Sequence, residues 1–303
     1  MQTASAETVT LHPPAKVNLC LELLGKRPDG FHELRTAMAT VRWCDTLRLT
    51  RRPAGDGVRL RIAGGAAAAG LAVDRSNLVV AALEELREAA GVEAGVDARL
   101  QKRIPAQAGL GGGSSDAAAA LVGGARVWGL DWPTERLAEI GARLGSDVPF
   151  FVHALAPGGS AFAVASGRGE VVRGLPIKSG APLVIAKPPS GLSTAGVYAA
   201  VSPDDWSQAD EKRCERVAAA MAGGHARSLA GLLANHLQRA AERVAPWIER
   251  VAAAFESAGF AAHQLSGSGS AYFGLARSWG EARRAAARLR ALCIGQVIAT
   301  TIG

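Results

Sequence analysis

The chain has 303 residues, 49% of them hydrophobic and only 5% aromatic, which is enough for about two domains with a sizeable core. Its net charge of +7 and isoelectric point near 9.7 fit an anionic partner such as a nucleotide or a phosphorylated metabolite, without choosing between them. No run approaches the roughly 18 apolar residues of a membrane span, the opening MQTASAETVTLHPPAK lacks the charged and apolar regions of a secretion signal, and Cys20, Cys44, Cys214 and Cys293 form no C-x-x-C pair, so a cytoplasmic protein with reduced thiols is expected.

In chain order, residues 7–24 alternate and then run apolar, which predicts strands interrupted at Pro13-Pro14. Arg27-Pro28-Asp29-Gly30 has turn composition. Phe31 to Thr50 reads as helix or loop, followed by the strand DTLRLTR, and the Gly/Ala-rich residues 53–70 read as loop. NLVVAALEELREAA from Asn77 to Ala90 predicts a helix with Asp74 or Ser76 as cap. Val96 to Lys102 alternates as a strand. A glycine loop then opens an Ala-rich helix, with Asp116 expected to point away from the loop and cap it.

Thr134 to Leu144 reads as a helix capped by Thr134 and stopped at Gly145, and Ser146-Asp147-Val148-Pro149 follows as a turn. The turn-rich Ala156–Ser160 marks a soft boundary, so domains of 1–163 and 164–303 are expected. Strands are expected around 161–165 and 183–186, and helices over 211–222, 226–240, 246–258 and 279–292. SGSGSAYFGL reads as a turn into a strand, and GQVIATTI as the last strand. The late Arg283, Arg284, Arg288 and Arg290 read as a solvated helix face. The histidines at 12, 153, 225, 236 and 263 have no ligand spacing, so no zinc site is expected.

The stretch Gly109-Leu110-Gly111-Gly112-Gly113-Ser114-Ser115 is the strongest local signal. Glycines let backbone N–H groups approach phosphate oxygens. A helix that starts directly afterwards adds free N–H groups and the positive end of its dipole. The loop lacks the Gly-Lys-Ser/Thr of a Walker A motif and the G-x-G-x-x-G spacing of a dinucleotide fold. A plain Gly-rich turn capped by Ser115 or Asp116 is the structural alternative.

Three motifs complete a pattern: PAKVNL from Pro14, PAQAGLGGGSSDAAAA from Pro105, and SGSGSAYFG from Ser266. In this order they resemble the GHMP kinases over nearly the whole chain. PAKVNLCLELLGKRPDGFHEL, DRSNLVVAA and LGSDVPFF narrow the resemblance to the branch that acts on a cytidine diphosphate ester of methylerythritol. The resemblance implies a two-domain α/β (α+β) kinase fold. Its N-terminal ATP-binding domain would hold a left-handed βαβ crossover, its C-terminal domain would be αβ, and the active site would lie in the cleft between them. It implies ATP-dependent phosphorylation of the ester's 2-hydroxyl in the non-mevalonate route to isoprenoid precursors, with Mg²⁺. A monomer or homodimer is expected, with neither nucleic acid nor membrane as partner.

Carried over by position, Lys16 and Asp147 match the catalytic pair, and Asn18 lies beside Lys16 in the substrate site. The loop of Pro105, Ala106, Gln107, Ala108, Gly109, Leu110, Gly111, Gly112, Gly113, Ser114 and Ser115 matches the ATP phosphate site, with Ser115 as a possible Mg²⁺ contact. Asn77, Leu78 and Lys102 match positions near the nucleoside of ATP. Phe31 and His32 match the pair that grips cytosine, with Phe31 where the family usually has Tyr, and Tyr198 matches the opposing aromatic. The chemistry is coherent without the family: an alcohol is a poor nucleophile until a carboxylate such as Asp147 accepts its proton. A lysine on an apolar strand, as Lys16 is, needs a partner. A homoserine- or mevalonate-type kinase, or a basic RNA-binding module, are the alternatives.

Overall fold

The computed structural model describes residues 7–177, 180–207, 209–223 and 229–303. In chain order the elements are β1 (Thr8–Leu11), β2 (Pro14–Lys26), β3 (His32–Cys44), β4 (Thr46–Ala54), β5 (Val58–Ala63), α1 (Leu78–Ala90), β6 (Ala94–Gln101), α2 (Gly112–Val127), α3 (Thr134–Leu144), α4 (Val148–Leu155), β7 (Phe162–Gly167), β8 (Val171–Leu175), β9 (Pro182–Lys187), α5 (Thr194–Ala199), α6 (Arg213–Ala222), β10 (Ala234–Asn235), α7 (Leu237–Val244), α8 (Trp247–Ser257), β11 (His263–Leu265), β12 (Tyr272–Leu275), α9 (Trp279–Ala291) and β13 (Gln296–Thr301). They sort into two compact units interleaved along the chain. One comprises the chain up to residue 15 with 43–106 and 111–159; the other comprises 16–42, 107–110 and 160–303.

The first unit holds a four-stranded sheet in the order β1-β4-β6-β5. Strand β4 pairs antiparallel with β1 and β6, while β5 and β6 run parallel with α1 between them. Its central helix is α2, which packs against α1, α3, α4 and β4. Of the 16 residues in α2, 13 are buried, which explains why they are mostly Ala and Gly. A Cβ on Gly123 would sit 2.5 Å from Leu11 Cδ1, so neighbouring elements close in only because that side chain is absent.

The second unit holds two sheets, ordered β10-β2-β3-β7-β8 and β11-β12-β9-β13. Strands β2 and β3 are covered on both faces. Helices α7, α8 and α9 supply Ala241, Phe255 and Leu289 to a core shared with Leu265, Tyr272 and Val297.

Several elements differ from the sequence expectation. Residues 32–44 form strand β3, not helix or loop, because burial on both faces replaces alternation with a continuous apolar run that fits either state. Residues 58–63 form strand β5 within the supposed loop, and VRLRIA does alternate, with Leu60 buried between exposed Arg59 and Arg61. No single helix covers 226–240: residues 226–228 lie outside the described residues, 234–235 form β10, and α7 begins at Leu237. There Asn235 donates to the carbonyls of Leu265 and Gly267, so tertiary hydrogen bonds override local propensity. The cap of α1 is Asn77, whose side chain accepts from Val79 N, while Asp74 accepts from Ser76 in the turn ahead. The N-cap of α3 is Pro133, without a side-chain cap from Thr134. Helix α4 occupies the turn expected after Asp147 and extends it.

Candidate active site

Strand β2 places Lys16, Asn18, Cys20 and Glu22 on one face by its two-residue period. Lys16 is 4% exposed, and its ammonium donates to Asn18 Oδ1 at 2.6 Å. Asn18 Nδ2 donates to Thr36 Oγ1 at 2.9 Å, and Thr36 donates onward to the Cys20 carbonyl at 2.7 Å. The amide oxygen of Asn18 is thereby aimed at the lysine and its nitrogen is satisfied, which fixes the position of a buried cation.

Two other motifs close on this strand. Lys16 N donates to Leu110 O at 2.9 Å, and Ala271 N donates to Ala108 O at 2.8 Å. Ser266 Oγ donates to Gly109 O at 3.0 Å, and Gln264 Nε2 to Asn18 O at 2.8 Å. A Cβ on Gly267 would lie 3.2 Å from Asn18 Oδ1 and 3.4 Å from Lys16 Nζ. Gly109 has φ +71°, and a Cβ there would drive into the Ser266 carbonyl oxygen. Glycine is required at this crossing for both reasons. Three stretches far apart in sequence thus form one hydrogen-bonded assembly within the second unit.

In the first unit, the rest of the glycine loop opens α2. Gly111 is its N-cap at φ +68°, with no side-chain cap bond. The first-turn N–H groups have no partner inside the helix, which suits an anion. Leu78 packs beside this turn: a Cβ on Gly113 would lie 3.7 Å from Leu78 Cδ1. Asn77 uses its side chain to cap α1 and to donate to Ala72 O. A Cβ on Gly145 would lie 3.8 Å from Ser114 Oγ. The turn carrying Asp147 therefore borders the start of α2. Asp147 itself is half-buried, at the N-cap of α4.

Asp116 does not cap the helix. It is buried and its Oδ2 accepts from Lys102 Nζ at 2.7 Å; the same ammonium meets Asp45 Oδ2 at 2.5 Å. Asp45 Oδ1 accepts from the backbone of Arg103 and, at 2.9 Å, of Ile104. A short carboxylate one turn into a buried helix finds a cation more readily than its own helix end. Burial pushes the Asp116 carboxyl up to about 7, against the pull of Lys102. Burial disfavours the Lys102 ammonium, but the two carboxylates outweigh it and hold it above the ordinary lysine range. The Lys102 ammonium, expected near the nucleoside of ATP, is held by these two carboxylates beneath the glycine loop. A Cβ on Gly112 would lie 3.3 Å from it.

Among the described residues, no cluster of three or more His, Cys, Asp or Glu could hold a metal ion. Mg²⁺ commonly uses one or two protein oxygens together with phosphates. The Ser115 hydroxyl, buried at the start of α2 without a hydrogen-bond partner, fits that use.

The predicted base-binding residues lie in the second unit. Phe31 follows the turn braced by Arg27 with Asp29 and Glu33. Its ring is 52% exposed, with the Arg168 guanidinium 4.8 Å from its centroid. The His32 ring lies 5.4 Å from Tyr198 and 5.6 Å from Trp206. Burial, and then Lys26, holds His32 below the ordinary histidine range, so the ring is neutral near pH 7. Sequence reasoning did not single out Thr36, Asp45, Arg168 or Trp206, which touch the candidate residues: each meets a partner distant in sequence and carries no local motif.

One unit thus carries a glycine-rich helix start, and the other a buried lysine on an apolar strand, in a chain of two mixed α/β units. Comparison gives the class. The model for the GHMP kinases N terminal domain matches residues 77–154, and that for GHMP kinases C terminal matches 211–295. The chain belongs to the GHMP kinases, which are ATP-dependent phosphotransferases acting on small molecules. It is 40% identical over 284 residues to the 4-diphosphocytidyl-2-C-methyl-D-erythritol kinase of Pelotomaculum thermopropionicum, covering 93% of this chain and 94% of that one. It is 39% identical to the enzyme of that name from Gloeobacter violaceus, covering 89% and 86%. A crystal structure of a 4-(cytidine 5'-diphospho)-2C-methyl-D-erythritol kinase superposes with a TM-score of 0.79 at 36% identity, covering 97% and 99%. Homoserine kinase from Cytophaga hutchinsonii, at 19% identity and TM-score 0.74, covering 100% and 96%, shares the fold.

Proposed function

We propose that this kinase transfers the γ-phosphoryl group of ATP to the 2-hydroxyl of 4-diphosphocytidyl-2-C-methyl-D-erythritol. The observation that carries the reading is the assembly of Lys16 and Asn18 with Ala108–Leu110 and the Ser266–Ala271 turn, which joins a buried cation to a backbone phosphate cradle. The substrate is supported by relatives of that name and by the His32–Tyr198–Trp206 ring cluster, which suits a base better than homoserine or mevalonate.

The roles follow from chemistry. Asp147 accepts the proton of the attacking hydroxyl. Lys16, held by Asn18, offsets charge that develops on the transferring group. The backbone from Pro105 to Ser115 and the first turn of α2 bind the polyphosphate. Asn77, Leu78 and the Lys102 segment flank its nucleoside side. Ser115 would hold Mg²⁺, which, when bound, neutralises phosphate charge. Asn18 orients the erythritol, and Phe31, His32 and Tyr198 hold the cytosine. We also propose a cytoplasmic protein, monomer or homodimer, without a nucleic-acid partner, divided for this purpose at 163/164. None of the helices among the described residues is long and apolar enough to cross a membrane.

The test is an ATP-consumption assay with the cytidine diphosphate ester, homoserine and mevalonate, the product being read by phosphorus NMR. Phosphate appearing on the ester's 2-hydroxyl supports the reading. Turnover of homoserine or mevalonate in its place contradicts it.

A further inference from the structure

His32 is half-buried at the start of β3. Among the described residues, neither of its ring nitrogens has a protein hydrogen-bond partner. An imidazole with two free χ angles and no bond to fix it must be oriented by packing. Two rings provide that packing: Tyr198, centroid at 5.4 Å and tilted 35°, and Trp206, at 5.6 Å and tilted 59°.

Trp206 is itself well held. It ends the short helical turn Pro203–Asp205, which is closed by a capping box between Ser202 and Asp205. Asp205 is buried, accepts from Ser202 N at 2.8 Å and pairs with Arg243 of α7 at 2.5 Å. The same guanidinium donates to Ala200 O at 2.7 Å, just beyond α5. The Trp206 side chain packs against the core of the second unit. The indole is therefore a fixed wall, and the His32 ring packs against it.

We propose that Trp206 is a positioning residue of the base site, holding the His32 imidazole so that one of its nitrogens faces a pyrimidine edge, and so setting affinity for the cytidine end of the substrate. The inference rests on the reading of His32 as the base-recognising group. A neutral imidazole can present one ring nitrogen to this edge, as donor to cytosine's N3 or acceptor from its N4, with the neighbouring backbone supplying the other bond. Packing between two rings gives the aim without competing for either nitrogen.

The experiment uses the full chain with steady-state kinetics for ATP and the cytidine ester. Trp206→Leu keeps apolar bulk against the core and removes the ring. It should raise KM for the ester about three- to tenfold, the range of an aromatic pair, with kcat and KM for ATP within about twofold. Trp206→Phe should recover most of that loss. Added to His32→Ala, Trp206→Leu should change nothing further, since the two act through one group. An unchanged KM in Trp206→Leu, an equal rise in KM for ATP, or additive effects with His32→Ala would each overturn the inference. If His32→Ala itself leaves KM for the ester unchanged, the reading of the base site falls, and this inference with it. If only the histidine variant responds, the reading stands and the role of Trp206 does not.

Discussion

Lys102 Nζ lies 2.7 Å from Asp116 Oδ2 inside the first unit, and all but a few per cent of both side chains is buried. A second carboxylate, Asp45, shares the ammonium. One cation between two acids leaves a surplus negative charge, so the acids are not equivalent. Asp45 also anchors the backbone of Arg103 and Ile104 ahead of the glycine loop; among the described residues, Asp116 anchors no such backbone and meets only Lys102 and Asp45. Asp116→Asn should therefore be mild, because it leaves a neutral pair. Asp45→Asn should be costlier, and Lys102→Met should cost about 3–5 kcal/mol by stranding two buried carboxylates. Urea denaturation of the three variants ranks them. Asp116→Asn proving the least stable would refute this charge count.

Gly109 offers a second test. Its φ of +71° and the approach of the Ser266 carbonyl both exclude a side chain. Gly109→Ala should cost about 1–3 kcal/mol in stability. It should also weaken ATP binding, measured by calorimetry, because the loop backbone has to shift. Wild-type ATP affinity in a folded Gly109→Ala protein would mean that this segment does not cradle phosphate.

Glu22 predicts a pH dependence. It is buried on β2, where it pairs with Arg213 at 2.7 Å and accepts from His236 Nε2 at 2.9 Å. Burial works against its charge, but the hydrogen bonds from His236 and the Asp210 backbone, with the charge of Arg213, outweigh it and hold the carboxyl below the ordinary 4.5. A folded value below the unfolded one gives stability that is present above about pH 4.5 and lost as pH falls through the folded value. Glu22→Gln should be less stable than wild type at pH 7, and the two should converge toward pH 3. Parallel melting curves across that range, with no convergence, would show that the carboxylate charge contributes nothing.

How much of this was legible in the sequence depends on what holds each element. The α2 glycine loop was legible, since its N–H groups and helix start are local chemistry. Strand β5 was legible in the alternation of VRLRIA but was hidden by its Gly/Ala-rich neighbours. Strand β3 was not, because burial on both faces erases the period that separates strand from helix. The site divides in the same way. Lys16 and Asn18 stand out as polar residues on an apolar strand, and their two-residue spacing already puts them on one face. Thr36, which completes their chain, is an ordinary strand residue until β2 and β3 pair. The misplacement of Asp116 has the same origin: helix-start chemistry favours a cap, and only the folded chain brings Lys102 and Asp45 to it.

The catalytic assignments make a prediction of their own. Asp147→Asn should keep the fold and ATP binding but lower kcat by about 10²–10⁴, the span of a positioned general base. Lys16→Met should lower kcat similarly and also cost stability, since it leaves Asn18 Oδ1 buried without its donor. Circular dichroism and calorimetry establish folding and ATP binding before turnover is compared. Near-normal turnover in either variant would remove that residue from the mechanism.

The central claim, a kinase that recognises its substrate by a cytosine, is tested most directly by competing the cytidine and uridine diphosphate esters of methylerythritol for the wild-type enzyme. Cytosine presents an acceptor at N3 and a donor at N4, and uracil presents the reverse. A site built for one therefore meets the other with two unpaired groups, at about 1–3 kcal/mol each. Stacking on Phe31 and Tyr198 is nearly blind to this difference. The account predicts a preference in kcat/KM for the cytidine ester of about 30-fold or more, narrowed in His32→Ala. Equal use of the two esters by wild type would contradict it.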